Sequence, residues 1–390
     1  MDDVTIISYP GERSDSLLSL TQDRSKYLLP FGGRFRVADF TVRNSLAAEA
    51  RRTIIFSDIA DGLEDYVHNY GDFRNEKFPR IKVVASEKQD IQICYKLVMD
   101  SNTGVYAIYN GDNPSIIDFP ALVKRFRKSR KHTVLYKMQF DGHASLANTV
   151  LVTKQKPLLA VINRAVDEKR EAPNVFEMLV NILVNRGIET STFHVRYWPV
   201  RNVPEYYAYQ MDVLKKKEIF DLFYREAGLA GHITHGGIAR LGMHAKIMKS
   251  VVADGCDING TVLNSIVYPG VVIGEGAYVK DCVLLPGVVI GARSRLYRTI
   301  MDERTASGSP ENPAVSLQNV GEHCHVGSET EGLKNNDYPR SIFNGITLLG
   351  KNCVVPHSAR VGGACYVGQG LGQEYFIKSR TLYDGTSIKR

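Results

Sequence analysis

Few residues in this chain combine the type and setting needed for chemistry, and the clearest is Asp112, in Asn110-Gly111-Asp112. It follows a β-branched, apolar run at 104–109, and an aspartate at the end of a strand is a natural Mg²⁺ ligand. The same residue type also caps turns and helices, so that reading stands beside the metal. Six Lys/Arg from Lys124 to Lys131 form a basic run that reads either as a solvated helix face or as an anion site. Arg34 and Arg36 alternate along a short stretch and suit effector binding, an interface or plain exposure. The six cysteines (94, 256, 282, 324, 353 and 365) form no CxxC pair and no metal spacing with histidine, which predicts buried, reduced thiols. A net charge of +7 suits small anions and falls short of a nucleic-acid-binding signature.

Two kinds of scaffold must position these groups. At 390 residues the chain calls for two domains, which we place at 1–240 and 241–390. In the first, β-branched runs (Val4–Ser8, Thr53–Phe56, Gly104–Tyr109, His132–Tyr136, Glu189–Val195) alternate with amphipathic helical stretches. The helical stretches are Ala47–Arg52, Ile91–Asp100, Phe119–Lys131, Asn174–Arg186 and Val203–Asp212. This pattern predicts an α/β domain with a mostly parallel sheet and ligands at the C-terminal strand ends. In the second domain, aliphatics recur at Val262, Val267, Ile273, Val279, Leu285, Ile290 and Leu296. They return at Val320 and Val326, then at Leu349, Val355, Val361 and Val367, with glycine or small polar clusters after each. A period of six with one inward aliphatic per short strand resembles the left-handed parallel β-helix of hexapeptide-repeat proteins. Residues 304–319 and 328–340 read as loops leaving that coil. No apolar run reaches the roughly 18 residues of a membrane span. The N-terminus shows no secretory pattern, so a cytoplasmic protein is expected.

The run RSKYLLPFGGRFRVADF at 24–40, IYNGDNPSIIDF at 108–119 and the repeat at 251–292 together resemble bacterial ADP-glucose pyrophosphorylase. The resemblance implies a Rossmann-like, GT-A-like nucleotidyltransferase domain followed by the hexapeptide coil. It also implies synthesis of ADP-glucose from ATP and glucose 1-phosphate with release of pyrophosphate, for glycogen. In the family a Gly-Gly-x-Gly-x-Arg loop wraps the triphosphate; aligned from Arg24-Ser25-Lys26, that loop here is Pro10 to Ser16. Only Gly11 stands in place, Ser16 occupies the position of the catalytic arginine, and Glu12 and Asp15 set negative charge against a triphosphate. Lys26 matches the family's phosphate-contacting lysine and Asp112 its first metal aspartate, whereas Pro199 replaces the second. The sugar side departs as well: no Glu-Lys-Pro segment lies between His132 and Val152, and Ala147–Leu151 and Lys88–Ile91 stand where other sugar-side motifs belong.

The resemblance therefore implies a D-type subunit with no catalytic residue intact, which assembles with a catalytic ADP-glucose pyrophosphorylase subunit in a heterotetramer and modulates it. Gly11 and Lys26 would be residual phosphate contacts, Asp112 a residual Mg²⁺ ligand, and Arg34 and Arg36 effector or interface residues. Ligands would be ATP, ADP-glucose, glucose 1-phosphate or a phosphorylated effector, with neither nucleic acid nor membrane as a partner. The alternatives are an active sugar-1-phosphate nucleotidyltransferase with a divergent site, and a non-catalytic sensor of nucleotide sugars or sugar phosphates.

Overall fold

The computed structural model describes residues 4–11, 15–59, 62–69, 80–85, 91–101, 103–140, 143–167, 175–226, 228–229, 237–304, 318–376 and 379–389. Its N-terminal part is built on a seven-stranded sheet in the order Thr190–His194, Thr133–Phe140, His143–Thr153, Val105–Asn110, Val4–Tyr9, Arg52–Ser57, Arg80–Ala85. Neighbouring strands are parallel except where His143–Thr153 runs against both of its neighbours. Side chains alternate between two apolar layers, as a sheet covered on both faces requires. Ile7, Ile54 and Ile108 face Cys94, Ile162 and Leu179, while Ile6, Ala107 and Tyr109 face Leu122 and Phe126.

Several elements differ from the sequence expectation. Residues 47–52 are not a helix: the helix is Val37–Ala47, and a turn then leads into the Arg52–Ser57 strand. Its start is fixed by the Asp39 carboxylate, which accepts the Arg36 N–H at 2.8 Å and so satisfies a helix-terminal donor. The strands Arg80–Ala85 and His143–Thr153 and the helix Gln155–Asp167 were not anticipated.

The C-terminal part is a triangular coil of three parallel ladders. Val262, Val279, Leu296, Val326, Val361 and Leu382 stand in register on one ladder. Val267, Leu284, Met301, Leu349 and Val367 stand on the second, and Ile258, Ile273 and Ile290 on the third, which bridges continue to Val320 and Val355. All of them pack in one buried cluster. The corners need glycine because successive rungs touch there: a Cβ on Gly260 would sit 2.4 Å from the Ala277 carbonyl oxygen.

One expected position shifts. Leu284, not Leu285, points into the coil, and Leu285 instead joins the core shared with the N-terminal part. Leu284→Ala is expected to cost about 2–5 kcal/mol by chemical denaturation. Val272→Ala, at a half-buried outward position, should cost less than about 1 kcal/mol. Equal losses would show that the inward assignment is wrong.

The two parts dock through an apolar stripe. Ile266, Val283, Ile300, Leu348 and Tyr366 form an outward ladder in register. This ladder packs with Tyr27, Leu28, Phe31 and Tyr206 of the N-terminal part. Of the two expected loops, residues 305–317 lie outside the described residues. The 328–340 segment is pinned to the coil by the buried Asn335, whose amide donates to the Ala364 carbonyl at 2.9 Å.

Candidate functional site

The C-terminal ends of the Val4–Tyr9 and Val105–Asn110 strands and the 3-10 turn Lys26–Leu28 converge on Asp112. Its carboxylate accepts the Gly11 N–H at 2.8 Å and the Asn113 amide at 2.9 Å, and the Lys26 ammonium lies 3.7 Å away. Lys26 also donates to Asn113 Oδ1 at 2.9 Å, and the Val200 N–H reaches that oxygen at 2.8 Å. A Cβ at position 11 would lie 2.6 Å from the Asn110 amide nitrogen, so a larger residue there would have to displace that side chain. Burial raises the Asp112 carboxyl above its ordinary value, with Lys26 and the Gly11 N–H pulling it back. Burial likewise lowers Lys26, against the pull of Asp112. The pair thus sustains itself inside the protein, and the carboxylate is already occupied on both oxygens.

The space left is small. Pro10, Gly11, Leu17, Lys26, Asp58 and Asp112 are among the described residues that bound a cavity of about 20 Å³. That is room for roughly one water. Mg²⁺ holds several of its own waters and needs carboxylate oxygens to spare. Asp112 and Asp58 are the carboxylates of this lining, and among the described residues no group of three or more His, Cys, Asp or Glu side chains could hold a metal.

Ser16 lies half-buried on the 3-10 turn Asp15–Thr21, which is kinked at Leu18 by a positive φ of 51°. Pro199 is buried next to Val200, the residue held by Asn113. Glu12 and Lys88–Asp90 lie outside the described residues, as do the side chains of Ala147 and Asn148. Asp58 and Asn113 were not singled out from the sequence, although Asn113 lies within the 108–119 motif.

The arginines divide. Arg34 is half-buried with its guanidinium 5.9 Å from the Phe35 ring centre. Arg36 binds Glu303 of the coil at 2.8 Å, and Arg24 binds Asp302 and Glu303, each at 2.8 Å. Burial alone would raise the Glu303 carboxyl, but Arg36 and Arg24 outweigh it and bring it down to about 2. Asp302 moves the other way: burial raises it despite Arg24. This buried cluster joins the two parts of the chain, and its partners are 278 residues apart in sequence. The basic run on the Phe119–Ser129 helix is exposed: Arg125 donates to the Thr192 carbonyl at 3.0 Å and Lys131 pairs with Glu189 at 3.2 Å, which secures the edge strand. All six cysteines are buried and unpaired, with Cys282 pushed up to about 12 by burial.

A mostly parallel sheet, with Asp112 just past one strand end and Lys26 on a neighbouring 3-10 turn, docks on a coil of parallel ladders. The parallel ladders fit the left-handed β-helix, and residues 238–309 match the family described as GlmU-like, C-terminal hexapeptide. Over most of its length the chain is similar to proteins named glucose-1-phosphate adenylyltransferase. The one from Bifidobacterium longum is 23% identical over 422 residues, covering 88% of this chain and 96% of the relative. The one from Thermodesulfovibrio yellowstonii is 22% identical, covering 84% of this chain and 95% of the relative. That from Acetivibrio thermocellus is 29% identical over 167 residues, an alignment spanning 43% of this chain and only 36% of the relative's length. These homologues support the family to which the motifs at 24–40 and 108–119 point. No helix among the described residues is long and apolar enough to cross a membrane.

Proposed function

We propose that this chain is a D-type, regulatory or assembly subunit of a glucose-1-phosphate adenylyltransferase, with weak or no turnover of its own. Its partner would be a catalytic relative in a mixed tetramer, in the cytoplasm and in the service of glycogen synthesis. The observation that carries the reading is the state of the Lys26–Asp112 pocket. The scaffold persists, but the pocket is only about 20 Å³, with its carboxylate bound by Gly11, Asn113 and Lys26. A triphosphate needs backbone donors, an arginine and a metal at that place. Ser16 and Pro199 supply neither the arginine nor the second carboxylate.

The test is pyrophosphate release from ATP and glucose 1-phosphate by the chain alone, by a relative with an intact glycine loop, and by the two mixed. Alone, the chain should turn over at least about 10²-fold more slowly than the relative. Mixed, it should form a larger species with changed kinetics. Robust turnover by the chain alone overturns the reading, as does a mixture identical to the relative in rate and size.

A further inference from the structure

One outward face of the coil carries a row of stacked cations. The ladder that buries Val279, Leu296, Val326 and Val361 turns the preceding residue of each strand outward. In register these are Tyr278, Arg295, His325 and Arg360. Arg295 and Arg360 are exposed, and neither takes part in an ion pair among the described residues. His325 between them is half-buried, and burial, then Arg360 and Arg295, lower its proton affinity. Neighbouring strands lie about 4.8 Å apart, so the three groups crowd into about 10 Å. Like charges stacked this way repel. The adjoining corner adds Arg293 and, three rungs on, Arg380, with Glu275 and Glu322 as its carboxylates. Arginine thus outnumbers carboxylate on this face.

The chain itself shows what such a surface accepts. Lys280 and Arg298 stand one rung apart at the far ends of two of the same strands, Tyr278–Lys280 and Arg295–Tyr297. Glu329 pairs with Lys280, and Glu331 pairs with Arg298 at 2.6 Å. Glutamates two residues apart in sequence therefore meet cations from successive rungs. These carboxylates stop at Lys280 and Arg298, and Arg295, His325 and Arg360 are left without one among the described residues.

Guanidinium forks select carboxylate or phosphate. The length of the row favours the former, since about 10 Å is the reach of roughly three extended residues and is short for a nucleic-acid track. A net charge of +7 is likewise modest for a nucleic-acid binder. We infer that the Arg295–His325–Arg360 row docks an acidic peptide segment of a partner protein, with glutamate or aspartate at alternate positions seated along the rungs. The inference goes beyond the subunit reading and holds whether or not the chain assembles with a catalytic relative.

The full chain is titrated at low salt with hexaglutamate, hexaglutamine and a single-stranded oligothymidylate of the same charge as hexaglutamate, followed by calorimetry. Saturable binding of hexaglutamate and none of hexaglutamine is expected. Arg295→Gln with Arg360→Gln should weaken that binding about tenfold or more. Lys124→Gln with Lys128→Gln, which strips two cations from the exposed side of the Phe119–Ser129 helix, should leave it unchanged. All four side chains are exposed, so thermal melts should match wild type. The His325 ring-proton resonances, assigned by their loss in His325→Gln, should move as peptide is added to the wild-type chain. No heat with hexaglutamate overturns the inference. So does equal weakening by the two double variants, a His325 signal that stays still, or tighter binding of the oligothymidylate.

Discussion

Arg24→Ala is expected to destabilise the protein by about 3–5 kcal/mol, a large fraction of a typical folding free energy. The side chain is 5% exposed, and its removal leaves the fully buried Asp302 carboxylate without its only cation within 4 Å among the described residues. Asp302 Oδ2 has no hydrogen-bond partner among the described residues, so the arginine is what makes this carboxylate tolerable. Denaturant melts of wild type and variant measure the loss, and a difference below about 1 kcal/mol would show that the cluster is dispensable. Acid adds a second readout through Glu303. Its carboxyl lies near 2 in the folded chain and at about 4.3 unfolded, so its contribution is full above the unfolded value. That contribution is lost as pH falls from about 4.3 through about 2. Asp302, raised by burial, acts with the opposite sign, because its protonation relieves a desolvated charge. The stability gap between wild type and Glu303→Gln should therefore shrink across that acid window and stay constant above it.

Ser16→Arg combined with Pro199→Asp is expected to leave pyrophosphate release at background. Each missing catalytic group costs roughly 10² to 10⁴ in rate, and replacing two of them on paper would recover much of that if the site were otherwise intact. It is not. The new arginine would start from a turn kinked at Leu18, and the cavity beside Lys26 and Asp112 is only about 20 Å³. The new carboxylate would be buried beside Val200, whose N–H is already committed to Asn113. A buried, unpaired charge costs several kcal/mol, so the double variant should also lose stability. A coupled pyrophosphate assay decides the matter. A turnover number in the ordinary range of about 1–10³ s⁻¹ would show that the pocket opens readily and that the subunit reading is wrong.

The coil was legible because a strict physical constraint writes it: every rung must bury one aliphatic at a fixed interval. The slip at Leu285 has a local cause. Leu284 and Leu285 are both apolar, one for the lumen and one for the docked domain, and periodicity alone does not separate two buried environments. The helix misplaced at 47–52 has a similar origin. Its true start depends on the Asp39 carboxylate reaching the Arg36 N–H, a contact hidden behind a Gly-Gly pair that reads as a loop. At the candidate site, Lys26 and Asp112 were found through motifs, yet nothing in those motifs tells that they bind each other. The Arg24–Asp302–Glu303 cluster was invisible, since it exists only once two separately patterned halves have met.

The stripe of Ile266, Val283, Ile300, Leu348 and Tyr366 has a consequence for handling the molecule. Cutting the chain near 240 would free the coil with a continuous greasy face, and such fragments precipitate or pair with one another. The intact chain should accordingly melt in one calorimetric transition. Neither half is an autonomous module that can be exchanged between relatives unless its matching face is moved with it.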